Sequence, residues 1–77
     1  MARLPLLSSE QVCAALRRAG YEPTKASGSH QTWKKWTPDR TFVTVVVLSK
    51  KEIPRGTLKG VIALTDMDED EFLKHVR

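Results

Sequence analysis

Val12, Ala15, Leu16 and Ala19 recur at i, i+3, i+4 and i+7 within Ser8–Gly20. That spacing lays one apolar stripe along a helix. Both ends of the stretch carry boundary signals. Ser8 and Gln11 have the spacing of a capping box, and Leu7 with Val12 that of a hydrophobic staple. Arg17 and Arg18 suit a last turn, where the helix dipole favours cations, and Gly20 suits the position just beyond it. After Gly20 the period changes to two. Tyr21–Ser27 reads as extended, and Pro23, which lacks an N–H, restricts it to a sheet edge or an irregular path. Gly28-Ser29 is a turn signal, His30–Trp36 a strand and Thr37–Arg40 a second turn. Thr41–Leu48 is rich in β-branched residues and reads as a third strand.

Pro54-Arg55-Gly56-Thr57 breaks this pattern and opens a second helix, with Leu58, Val61 and Ile62 on its buried side. Gly60 inside it costs about 1 kcal/mol relative to alanine, so the helix is expected to be short. Asp68 and Glu71 repeat the capping-box spacing, with Met67 and Phe72 as the staple, and start a terminal helix running to about Val76. The order predicts an α+β domain: a helix, a three-stranded antiparallel meander and further helix, with the helices packed on one face of the sheet.

Seventy-seven residues make a single domain, 1–77. A chain of this length buries only about 60–65% of its unfolded surface, which leaves no room for a cofactor domain; no cofactor is expected. No apolar run approaches the roughly 20 residues that span a bilayer, so no membrane association is expected, and MARLPLLSS is too short for a secretory signal. Cys13 is the one cysteine. It lies in the first helix pattern and reads as a partly buried side chain in a reducing cytoplasm rather than a nucleophile. With two histidines, and the acids gathered at a helix start, no metal site is expected.

The charge is unevenly distributed. Residues 1–64 hold eleven Lys/Arg against four Asp/Glu, whereas residues 65–77 hold two against five. A basic body with an acidic tail points to a polyanionic partner, nucleic acid before an acidic protein. Alternation along His30–Trp36 puts His30, Thr32, Lys34 and Trp36 on one face and Gln31, Trp33 and Lys35 on the other. Trp33 assigns the second set to the core. The open face then carries an imidazole able to exchange a proton near neutrality. Lys34 is placed to stabilise charge on the same phosphodiester, and Trp36 to stack on a base. A second cluster, Lys50, Lys51, Arg55 and Lys59, surrounds the start of the second helix. There the free N–H groups of Gly56 and Thr57 add a phosphate-holding capacity. The glycine spacing is not that of a nucleotide-binding P-loop.

The first helix, Gly28-Ser29-His30-Gln31-Thr32-Trp33, the apolar strand and Arg55-Gly56-Thr57-Leu58, in this order over about residues 7–73, resemble the HicA family of bacterial toxins. The resemblance implies an α-β-β-β-α fold like that of double-stranded-RNA-binding domains. It implies a cytoplasmic, ribosome-independent mRNA interferase acting on single-stranded mRNA and neutralised by a HicB-type antitoxin. The family's glycine-serine-histidine motif falls on Gly28, Ser29 and His30, with His30 as the catalytic residue. Its aromatic or aliphatic strand position falls on Trp33, and its glycine-threonine-leucine on Gly56, Thr57 and Leu58. Many members end the third strand with a proline and, two residues later, a histidine; here these positions hold Val46 and Leu48. His30 would therefore work with Lys34, Ser29 or water, with Trp36, Lys35, Lys50, Lys51, Arg55 and Lys59 holding RNA and Gly28 aiming the turn.

Thr41–Leu48 is apolar on both sides, with Val43, Val45 and Val47 on one and Phe42, Val46 and Leu48 on the other. Such a strand is usually covered on both faces. A homodimer through the open sheet face, or the antitoxin, is the expected cover. The reading is a metal-independent endoribonuclease toxin. Its alternatives are a non-catalytic RNA-binding module of the same fold and a protein-interaction domain.

Overall fold

The structure, a computed structural model, describes residues 4–76. Residues 1–3, part of the opening MARLPLLSS, lie outside the described residues. Six elements follow one another: α1 (Ser9–Arg18), β1 (Glu22–Ser27), β2 (His30–Trp36), β3 (Thr41–Val47), α2 (Arg55–Ala63) and α3 (Glu69–Lys74). The strands form one antiparallel sheet in the order β1-β2-β3, with the helices packed on it. This is the expected α+β fold, similar to double-stranded-RNA-binding domains.

Local chemistry accounts for the helix ends. Ser8 caps α1 and Gln11 reaches back to the Ser8 N–H, and both halves of the same box recur at Asp68 and Glu71 for α3. At the other end of α1, Gly20 N–H donates to Arg17 O at 3.1 Å and Tyr21 N–H to Leu16 O at 2.9 Å. With Gly20 at φ +96°, this is a Schellman closure, a left-handed residue letting the chain turn back and satisfy the last carbonyls. The turn brings Tyr21 into the core directly after the helix. α2 has no side-chain cap; Pro54 precedes it.

The core lies between the helices and one face of the sheet: Val12, Ala15, Leu16, Tyr21, Trp33, Val46, Ile53, Leu58, Ile62 and Phe72 are all buried. The polar Thr44 is buried among them because its hydroxyl donates to Val61 O at 2.8 Å, tying β3 to α2. Trp33 is 2% exposed. Among the described residues its Nε1–H meets no oxygen or nitrogen acceptor, while the Arg17 guanidinium lies 5.4 Å from the ring centroid. Cys13 is half-buried against this cluster, and burial pushes its thiol up from the ordinary range.

β2 pairs with β3 in register from His30↔Val47 to Trp36↔Thr41. The β1–β2 register shifts between Pro23 and Ala26, a bulge in the outer strand. Every residue of β1 is exposed.

Candidate functional site

The open face of the sheet is assembled by register. His30, Thr32, Lys34 and Trp36 of β2 face Val47, Val45, Val43 and Thr41 of β3, and Ser27 and Glu22 of β1 lie opposite His30 and Lys34. Leu48 N–H donates to Ser29 O at 2.6 Å. This bond places His30 and Val47 in a non-hydrogen-bonded pair, the kind in which opposing side chains approach most closely. The imidazole therefore stands against a valine on one side and a serine on the other, exposed to solvent.

The turn before it has a specific conformation. Gly28 has φ +58°, and Ser29 does not share the positive-φ region. A glycine alone at the first of two central positions is the pattern of a type II′ hairpin turn, whose twist matches that of the strands it joins. A Cβ at Gly28 would meet nothing within 4 Å. Backbone conformation, not space, calls for glycine here.

The same end of the sheet receives the loop after β3. Ser9, 3% exposed, donates from Oγ to Val47 O at 2.7 Å and accepts at Oγ from Lys50 N–H at 2.9 Å. Its own N–H donates to Lys50 O at 2.9 Å. Ser49 is held at φ +62° between these anchors. Lys50 and Lys51, both exposed, are thus carried at the His30 end of the sheet. Ser9 has no motif or periodicity to mark it; only its hydrogen bonds to a loop about forty residues later reveal its role.

The remaining expected residues separate. His30 and Lys34 are four positions apart on one strand, about 13 Å at 3.3 Å per residue. Lys34 lies beside Glu22 and Val43, further along the same face. Trp36, 57% exposed, stands about 20 Å from His30 at the far end of the same strand.

Lys35 lies on the covered side, where Nζ donates to Asp66 Oδ2 at 2.8 Å and sits 5.6 Å from the Tyr21 ring centroid. Alternation turns it towards the helices, apart from the other residues expected to hold RNA, and Asp66 engages its charge. Tyr21 OH donates to Asp66 Oδ1 at 2.8 Å and accepts from Asp66 N–H at 3.0 Å. Burial first, and then the neighbouring carboxylate, push the Tyr21 phenol up to about 12. For Asp66, burial alone would raise the carboxyl; the hydrogen bonds from Lys35 and Tyr21 outweigh it and hold the group below its ordinary range.

Arg55 and Lys59 also part from Lys50 and Lys51. Arg55 Nε donates to Leu4 O at 2.6 Å. Both side chains line a groove of about 740 Å³ between α2 and α3, with Leu4, Ile62 and Met67 among its lining and Asp68, Glu69 and Asp70 on its other side. This groove belongs to the helical layer. The basic cluster read as one unit is two: a loop beside His30, and a helix side facing acids.

Among the described residues no group of three or more His, Cys, Asp and Glu side chains is placed to hold a metal ion. No helix among them is long and apolar enough to cross a membrane.

A search of curated proteins finds no match to this chain. The profile of one family, described as HicA toxin of bacterial toxin–antitoxin, matches residues 9–67. That span runs from Ser9, which anchors the loop, through the turn, His30 and all three strands to Met67. Match and fold agree over most of the 77 residues, and the chain belongs to the HicA family of toxins of bacterial toxin–antitoxin systems.

Proposed function

We propose that this toxin is an endoribonuclease that cuts single-stranded mRNA and is neutralised by a HicB-type antitoxin in the bacterial cytoplasm. The observation that carries the reading is the position of His30. It is solvent-exposed on the open face at a glycine-dependent turn, with the Lys50–Lys51 loop anchored at the same end of the sheet. RNA supplies its own nucleophile. The 2′-hydroxyl attacks the adjacent phosphorus and the bond to the 5′-oxygen of the next nucleotide breaks. The products are a cyclic phosphate and a free 5′-hydroxyl. His30 takes the 2′-hydroxyl proton, or gives one to the leaving oxygen. Lys50 and Lys51 hold the backbone phosphates around it, the Ser29 hydroxyl supplies a hydrogen bond at the turn, and Lys34 serves a phosphate further along. Trp36 stacks a base at the far end.

One imidazole serves this face. The second histidine, His75, lies at the end of α3, where its carbonyl accepts from Arg18. The other proton transfer then falls to water or to a lysine of the loop. This single-imidazole face also favours a second reading, a non-catalytic RNA-binding module. Purified protein incubated with single-stranded RNA in EDTA separates the two. Cleavage to cyclic-phosphate ends supports the endoribonuclease, and retention without cleavage supports the binding module. Equal cutting of DNA, which lacks the 2′-hydroxyl, overturns the mechanism.

A further inference from the structure

The two edges of the sheet are built differently. β1 is blunted by Pro23, by the bulge between Pro23 and Ala26, and by Glu22 and Lys25. These are devices that keep an edge from pairing with another chain. β3, Thr41–Val47, carries no charge, proline or glycine. Its backbone direction follows from the Leu48–Ser29 bond and the register. Phe42, Thr44 and Val46 turn their N–H and C=O groups towards β2, while Thr41, Val43, Val45 and Val47 turn theirs outward. Val47 O is taken by Ser9 Oγ. Among the described residues, the outward groups of Thr41, Val43 and Val45 meet no backbone partner, and Val43 and Val45 are 42% and 38% exposed.

We propose that this edge pairs with the same edge of a second copy of the chain, antiparallel, to make a continuous six-stranded sheet. Ser9 closes the edge at Val47, so the free stretch is Thr41–Val45. Its midpoint is Val43. An antiparallel two-fold through Val43 sets Val43 against Val43 of the second copy, and Thr41 against its Val45. Each of these is then a hydrogen-bonded pair, about six hydrogen bonds in all. A two-fold interface needs a surface that is complementary to itself, and this stretch satisfies that condition. Charge selects the occupant as well. Two chains of net charge +4 repel, but no charged side chain lies between Thr41 and Leu48, so like charges are not opposed at the seam. A partner recruited by acidic side chains finds no complement there. Edge pairing also leaves His30, Lys34 and Trp36 uncovered on β2, which a face-to-face homodimer would bury. Pairing of the edges does not depend on whether the chain cleaves RNA.

The register makes the test specific. In a Cys13→Ser background, Val43→Cys places two thiols on facing residues about 5.5 Å apart at Cα, within the roughly 4.4–6.8 Å that a disulfide spans. Air oxidation should yield a covalent dimer. Thr41→Cys in the same background should not, because the two copies of residue 41 lie about 13 Å apart. Sedimentation of the full chain should show a concentration-dependent dimer. Val45→Pro removes an outward N–H that β2 does not use, and should weaken the dimer at least tenfold without lowering the melting temperature of the monomer. Val43→Lys gives an independent variant, should the proline disturb the strand. The proposal is overturned by a monomer at all concentrations, by equal cross-linking at positions 41 and 43, or by a dimer that Trp36→Ser dissociates and Val45→Pro does not. It is also overturned if the Val43 and Val45 amides gain exchange protection only when an antitoxin is added.

Discussion

Ser9 and Lys50 hold each other by two hydrogen bonds, Ser9 N–H to Lys50 O and Lys50 N–H to Ser9 Oγ, both at 2.9 Å. The first residue of α1 thereby fixes the loop beside His30. Ser9→Ala leaves Lys50 N–H and Val47 O without their partner, at a cost of about 1–3 kcal/mol for buried groups. Urea unfolding should show that loss. RNA cleavage at a temperature where the variant is fully folded should fall as well. Activity unchanged in the folded variant would mean that the loop does not need this anchor.

His30 is exposed, and among the described residues its side chain stands outside the hydrogen-bonded network of the core. His30→Ala should therefore keep stability and RNA retention while cleavage drops by about 10²- to 10⁴-fold, the usual contribution of a general acid or base. The decisive comparison is growth arrest on induction at matched soluble protein levels. Equal arrest by wild type and variant would make the imidazole a bystander.

The division of the basic residues predicts different salt responses. For single-stranded RNA the log–log dependence of affinity on salt has a slope of about −0.7 per neutralised phosphate. Replacing Lys50 and Lys51 by alanine should flatten the slope by about that amount for each phosphate that the loop no longer neutralises. Replacing Arg55 and Lys59, which line the groove opposite Asp68, Glu69 and Asp70, should leave it nearly unchanged. The reverse pattern would move the RNA to the helical layer.

The two tryptophans of β2 should behave in opposite ways. Trp33→Ala removes a buried aromatic and should cost about 3–5 kcal/mol in denaturant unfolding. Trp36→Ala should leave stability nearly intact and weaken single-stranded RNA binding by about 1–3 kcal/mol, the worth of one stacked base. Normal RNA affinity in the Trp36 variant would show that the RNA does not extend to that end of the face.

Tyr21 and Asp66 make stability sensitive at both ends of the pH scale. The Asp66 carboxyl is held below its ordinary value in the folded state, so its contribution is present above the unfolded value and fades as pH falls through the folded one. The Tyr21 phenol is raised to about 12; its contribution is complete below the unfolded value and fades as pH rises towards the folded one. Thermal melts of Asp66→Asn should lose part of the acid-side dependence, and those of Tyr21→Phe part of the alkaline side. Melting curves parallel to wild type at both extremes would show that the pair does not couple to folding.

What the sequence by itself determined is local or periodic. Ser8 with Gln11 and Asp68 with Glu71 act within three residues of each other, and Gly20 acts on the turn it occupies. A strand period of two separates Trp33 from His30 without reference to the rest of the chain. These interactions form wherever the segment goes, so the pattern of residues reports them faithfully. The motif Gly28-Ser29-His30 was legible for the same reason, since a two-residue turn is defined by its own backbone.

What only the tertiary structure decided depends on which distant segments meet. Ser9 gains its role from a loop after β3, and Lys35 loses its freedom to an aspartate 31 positions later. Lys50 and Arg55 are five residues apart in the chain, yet Ser9 ties Lys50 to the end of β3, Ile53 between them pairs with Leu7, and Arg55 opens α2, so one stands at the open face's edge and the other in the helical groove. The strand Thr41–Val47 reads as apolar on both sides. Helix packing covers one side, β2 takes one row of its backbone groups, and Ser9 takes the last of the other row. Register and packing, set by the whole core at once, leave Thr41, Val43 and Val45 as the open edge.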